Sequence, residues 1–129
     1  QRMIDSQLFT LDLLYGNVRA GRTAHDVAIE TNRGVAEMES SIFRSGHFGY
    51  SVGMGFPPTW TDGPNYIAEG NHRVLEAGMT FHTPFSWRVP KEFVVGTSES
   101  IAVTEDGCEI LTKAERKVTV KGAKAAAAE

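Results

Sequence analysis

The hydrophobic repeat of this chain changes period once, and that change limits the folds open to it. In the first third, Ile4, Leu8, Leu11 and Tyr15 recur at helical spacing, and Gly16-Asn17 supplies a left-handed stop signal. A second stripe follows in Val27, Thr31, Val35 and Met38, opened by Thr23 three residues before Asp26. This is a capping-box variant whose acid also suits the helix N-terminus, and the spacing predicts a helix reaching Ser40. Further on the period drops to two. Phe81 and Thr83 alternate with His82, and Thr97, Glu99, Ile101 and Val103 alternate with Ser98, Ser100 and Ala102. Thr104 to Cys108, "TEDGC", joins two such runs as a β-hairpin. Helices first and antiparallel strands after them predict an α+β fold: two helices packed on one face of a curved antiparallel sheet.

At 129 residues the chain is one domain's worth, able to bury about 65% of its unfolded surface. A net charge of −3 offers no footprint for nucleic acid or an anionic membrane, and no apolar run approaches membrane-spanning length, so a cytoplasmic location is expected. A lone cysteine, Cys108, excludes an internal disulfide and a zinc-finger ligand set, and reads as a small core residue. The stretch 113–129 loses the apolar pattern and reads as a polar tail that frays. Residues 57–64, rich in Pro and Gly, read as a surface loop.

The segment Gly46 to Trp60, "GHFGYSVGMGFPPTW", is the least ordinary part of the sequence. It is not a phosphate loop, having neither G-x-x-x-x-G-K nor G-x-G-x-x-G between strand and helix. Its glycines suit a strand approached closely by other backbone. His47 there reads either as a general base or as a histidine satisfied by a backbone carbonyl. His82 reads either as a pocket residue or as a structural one. Glu99, on a strand of apolar and small residues, is expensive to bury unpaired, which points to a hydrogen-bonded catalytic or ligand role unless its face is solvated. Tyr50, Phe56 and Trp60 are candidate pocket walls for a cyclic or proline-like substrate, or packing around the Pro-Pro turn. His25 and His72 read as surface residues.

Three ordered segments, "RSGHFGYSVGMGFPP", "LEAGMTFHTPF" and "SESIAVTEDGCEILT", together with the connection "VRAGRTAHD", resemble the pita-bread fold shared by creatinases, prolidases, Xaa-Pro aminopeptidases and methionine aminopeptidases. The resemblance runs over residues 1–112 and implies the C-terminal portion of such a catalytic domain. In metal-dependent relatives two Asp, one His and two Glu bind two divalent ions such as Mn, Co or Zn. The Asp pair would precede Gln1. The first Glu falls around Thr83 or Pro84, and the second on Ser98, or on Glu99 after a one-residue shift. One register places His47 at the family histidine, and the other, through "GYSVGxGFPP", places Tyr50 there and resembles the ectoine-hydrolase and creatinase-like branch. The resemblance thus implies a hydrolase of C–N bonds in a small amide, cyclic amidine or dipeptide, acting without a metal or other cofactor, typically as a homodimer. A metal-dependent Xaa-Pro peptidase and a non-catalytic binding module are the other implied readings. His47 and Glu99 are expected to share one pocket closed partly by "GFPPTW". Beginning at Gln1 inside a helical pattern, the chain is expected to continue a longer polypeptide and to be inactive alone.

Overall fold

The computed structural model describes residues 1–117 other than 37, 54, 56, 57 and 60, with the backbone alone for 61–64. Two helices, α1 (Arg2–Asn17) and α2 (Ala24–Asn32), precede five strands: β1 (His47–Val52), β2 (Thr61–Ala68), β3 (Thr80–Val89), β4 (Phe93–Val103) and β5 (Cys108–Ile110). The strands form one antiparallel sheet in the order β2-β1-β3-β4-β5. The expected α+β arrangement of two helices on an antiparallel sheet is what the chain adopts.

Alternation sets the two faces of the sheet. Along β3, Phe81, Thr83, Phe85 and Trp87 are buried, and opposite them on β4 so are Glu99, Ile101 and Val103. These side chains join Leu11, Leu14, Val18, Val27, Ala28 and Val35 from the helical layer in a single core. The intervening residues, Thr80, His82, Pro84 and Ser86, occupy the other face, which bears no helix among the described residues.

The buried line of α1 is turned from the expected one. Met3, Gln7, Thr10, Leu11 and Leu14 are buried, while Ile4 and Leu8 are only half-buried. Gln7 accounts for the rotation, because its Nε2 donates to the Val95 carbonyl at 2.9 Å and its Oε1 accepts from Thr97 at 3.3 Å, so the buried amide is satisfied. Thr23 caps α2 as its spacing predicts, its hydroxyl accepting the Asp26 N–H at 3.0 Å. A side-chain hydrogen bond from Thr23 to the Asp26 carboxylate is the main cause holding that carboxyl below its ordinary range. α2 stops at Asn32, short of the predicted Ser40, although Val35 and Met38 stay buried. The chain leaves the helix where it must press on α1: a Cβ on Gly34 would lie 2.5 Å from Thr10 Oγ1 and 2.8 Å from Thr10 Cα.

Two further expectations change. The 57–64 region is not all loop, since β2 begins at Thr61 and contains Pro64. Proline is tolerated because β2 is an edge strand and its register is irregular, stepping from Tyr50↔Tyr66 to Val52↔Thr61. Part of the stretch expected to fray is docked: Arg116 ion-pairs with Asp12 on α1 and Glu99 on β4. Residues 118–129 lie outside the described residues. The "TEDGC" hairpin forms as read, with the Thr104 N–H donating to the Gly107 carbonyl and the Gly107 N–H to the Thr104 hydroxyl. Cys108 sits at the rim of the core, and burial pushes its thiol pKa up.

Gly34→Ala should destabilise the protein by about 1–3 kcal/mol, because the methyl meets backbone that cannot swing away. Gly16→Ala, on α1 with open space around it, should instead stabilise by about 0.5 kcal/mol. Denaturant midpoints of the two variants moving in the same direction would contradict this packing.

Candidate functional site

The helix-free face gathers His47, Tyr50 and His82, which the sequence singled out, and adds Tyr66. Tyr50 of β1 is paired with His82 of β3 on one side and with Tyr66 of β2 on the other. Tyr50 Oη and His82 Nδ1 are 2.6 Å apart, a short hydrogen bond, with ring centroids 5.1 Å apart and nearly perpendicular. His47 completes the group, 6.0 Å from the Tyr50 ring and 5.2 Å from that of Tyr66.

His47 and Tyr50 share this face because β1 does not alternate cleanly. The register shifts between His47 and Gly49, and Phe48 and Gly49 are both buried in succession. A Cβ on Gly49 would come within 3.2 Å of the His82 carbonyl and 3.3 Å of Thr83 Cγ2, so the close approach read from the glycines is real. The two registers that put either His47 or Tyr50 at the family histidine therefore describe neighbours in one cluster.

Burial lowers the pKa of both His47 and His82, which keeps both rings neutral at pH 7. His47 Nδ1 is buried and has no hydrogen-bond partner. The carbonyl-satisfied alternative thus does not hold for that nitrogen. Tyr66 was not singled out from the sequence. Its signal was available only as an aromatic two residues beyond the stretch read as a loop.

Glu99 does not join this group. It is paired across the ladder with Thr83 on the helix-covered face, so the expectation that His47 and Glu99 share a pocket is corrected by the register. Tyr15 donates to Thr83 Oγ1 at 2.9 Å, and Thr83 donates to the Glu99 carbonyl at 3.0 Å. Arg116 grips the Glu99 carboxylate with both ends of its fork, at 2.9 and 3.0 Å, adds a 2.9 Å bond to Asp12 and lies over the Tyr15 ring. Burial, reinforced by Glu99, raises the Tyr15 pKa and keeps the phenol protonated, while the bond to Glu99 raises that of Arg116. Phe56 and Trp60, expected as pocket walls, lie outside the described residues. Of the two supposed surface histidines, His72 is exposed, but His25 is half-buried: its Nδ1 accepts the Gly70 N–H at 2.9 Å and its ring packs against that of His72.

The positions where family resemblance calls for carboxylates can also be placed. Pro84 and Ser98 are cross-strand partners on the same face as His82, and neither bears a carboxylate. Thr83 and Glu99, the alternatives, face the helices. Among the described residues no three of His, Cys, Asp and Glu come together as a metal-ligand set. These residues do not by themselves fit a metal ion.

Residues 1–105 match metallopeptidase family M24. Over 120 residues the chain is 29% identical to an uncharacterized hydrolase/peptidase of Sinorhizobium fredii, covering 93% of this chain and 29% of that protein. It is 36% identical over 74 residues to the ectoine hydrolase of Halomonas elongata, covering 57% of this chain and 18% of the other. Its fold is that of a prolidase from Pyrococcus horikoshii, with a TM-score of 0.77 at 22% identity, covering 92% of this chain and 33% of that one. The chain thus spans a third or less of the length of these relatives. The resemblance to the pita-bread enzymes holds. The expectation of no cofactor does not: the matched family is one of metallopeptidases, and that overturns it. No helix among the described residues is long and apolar enough to cross a membrane.

Two measurements check the placement. Because the folded pKa values of His47 and His82 lie below the ordinary value near 6.5, the unfolded chain binds more protons between the two, and stability rises with pH there. The contribution is complete above about pH 6.5 and is lost as pH falls through the window below it. The melting temperature should therefore drop from pH 7 to pH 5, and drop less in a His47→Gln/His82→Gln double variant; equal slopes would contradict the burial of these rings. Arg116→Met should cost about 2 kcal/mol, less than the ~3–5 kcal/mol of a fully buried pair because Arg116 keeps 29% of its side-chain surface exposed. A chemical denaturation midpoint unchanged by that substitution would show that the bidentate pair contributes nothing.

Proposed function

Because the chain belongs to metallopeptidase family M24, we propose that it forms one wall of a hydrolytic site that cleaves a C–N bond in a small amide, cyclic amidine or dipeptide. The observation that carries this reading is the 2.6 Å contact between Tyr50 and His82 on the helix-free face, with His47 beside it. The likeness to an ectoine hydrolase and the fold shared with a prolidase support a substrate of that size and bond type.

Hydrolysis of such a bond adds hydroxide to carbon and a proton to nitrogen, so the site needs one group to accept a proton from water and one to deliver a proton to the leaving nitrogen. Neutral His47 is the acceptor in this scheme. The Tyr50–His82 pair holds the proton for the leaving nitrogen, and their hydrogen bond lets one partner resupply the other. Glu99 takes no part in the chemistry. It anchors Arg116 and, through it, α1 to the sheet.

The test is turnover by the intact protein on a panel of Xaa-Pro dipeptides, small amides and cyclic amidines, read as released amine. Tyr50→Phe and His82→Gln should each lower kcat by about 10²–10⁴ with little change in KM. Wild-type kcat in either variant would remove the pair from the mechanism. Ligand-induced stabilisation without turnover on any member of the panel would favour a non-catalytic binding module.

A further inference from the structure

A second feature lies where the end of β1 and the start of β3 meet β2 and the loop leading into β3. A cleft of about 220 Å³ opens there, lined by Asn65, Arg73, Gly78, Thr80 and their neighbours. Asn65 is only 6% exposed, yet its Oδ1 has no hydrogen-bond partner. A buried carbonyl oxygen left in that state is costly, and native structures normally supply it with a donor. Thr80 spends its hydroxyl hydrogen on the Val52 carbonyl at 2.8 Å, which leaves its oxygen able only to accept.

Arg73 provides the opposite chemistry. Its backbone is held on both sides: its N–H donates to Asn71 Oδ1 at 3.2 Å, and its carbonyl accepts the Ala24 N–H at 2.9 Å. Its guanidinium makes no ion pair or hydrogen bond with another described residue. The wall beside it is fixed as well, because Gly78, at a positive φ of 89°, donates to the Val103 carbonyl at 2.9 Å and Met79 accepts from the Val103 N–H at 2.8 Å.

The cleft therefore sets one unpaired buried acceptor, Asn65 Oδ1, beside an exposed guanidinium that has no partner among the described residues. Water alone could satisfy Asn65, but a ligand that also carries an anion can engage the exposed Arg73 guanidinium at the same time. The complement is a small molecule with N–H donors at one end and a carboxylate at the other. We propose that this cleft binds a free amino acid, with its ammonium on Asn65 Oδ1 and its carboxylate on Arg73.

Binding of L-alanine, acetate and methylammonium to the intact protein, measured by titration calorimetry, tests this independently of any hydrolysis. L-alanine should bind saturably and at least tenfold more tightly than either half-molecule. Arg73→Gln and Asn65→Leu should each weaken L-alanine binding tenfold or more, and Arg73→Gln should leave the melting temperature unchanged. Absence of saturable L-alanine binding, which is the outcome if water alone fills the cleft, would overturn the proposal. So would acetate binding as tightly as L-alanine, or L-alanine binding undiminished in Arg73→Gln. Should Asn65→Leu fail to fold, the acetate comparison and Arg73→Gln still decide.

Discussion

The ladder between β3 and β4 is the constraint on which the rest depends. Ten consecutive pairs, from Thr80↔Ala102 to Val89↔Phe93, run without a shift. An unbroken register of that length leaves no residue free to choose its side: a slip of one position would carry Phe81, Phe85, Ile101 and Val103 out of the core. Hydrophobic burial thus decides, indirectly, that His82 faces away from the helices and that Glu99 faces toward them. The polar groups inherit their positions from their apolar neighbours.

What could be read in advance follows from this division. Local signals that act within a few residues are legible: the Thr23 cap, the Thr104–Cys108 hairpin and the close approach at Gly49 each depend on short-range chemistry, and each appears as read. Period-2 patterning also placed His82 opposite in sense to Phe81 and Thr83. The misreadings arise where the deciding partner is distant in sequence. Gln7 is buried because Val95 and Thr97 satisfy its amide, some ninety residues away. Pro64 lies in a strand because β2 happens to be an edge, which only the strand order reveals. The early end of α2 reflects Thr10 on another helix. Glu99 was assigned to chemistry on the sound ground that a buried carboxylate needs a partner. The partner is Arg116, from a segment whose own composition suggested nothing to pack.

The two faces also differ in their electrostatics. On the covered face, charge is matched at short range: one guanidinium bridges Glu99 and Asp12 and rests on Tyr15, whose phenol stays protonated. On the open face burial lowers the pKa of the two imidazoles of the cluster, and Pro84 and Ser98 stand where acids would be expected from the family pattern. Membership of a metallopeptidase family and a segment without a metal-ligand set coexist in this chain, which spans a third or less of its relatives.

The irregularity in β1 has a consequence for how such a surface can vary. In a regular strand, residues three apart point in opposite directions, so His47 and Tyr50 would be separated by the thickness of the sheet. The register shift at Phe48 is what makes them neighbours. The number of residues between them is then as much a requirement of this surface as the side chains themselves, because one residue more or fewer would return His47 and Tyr50 to opposite faces. An insertion or deletion here would therefore dismantle the cluster without touching any of its side chains.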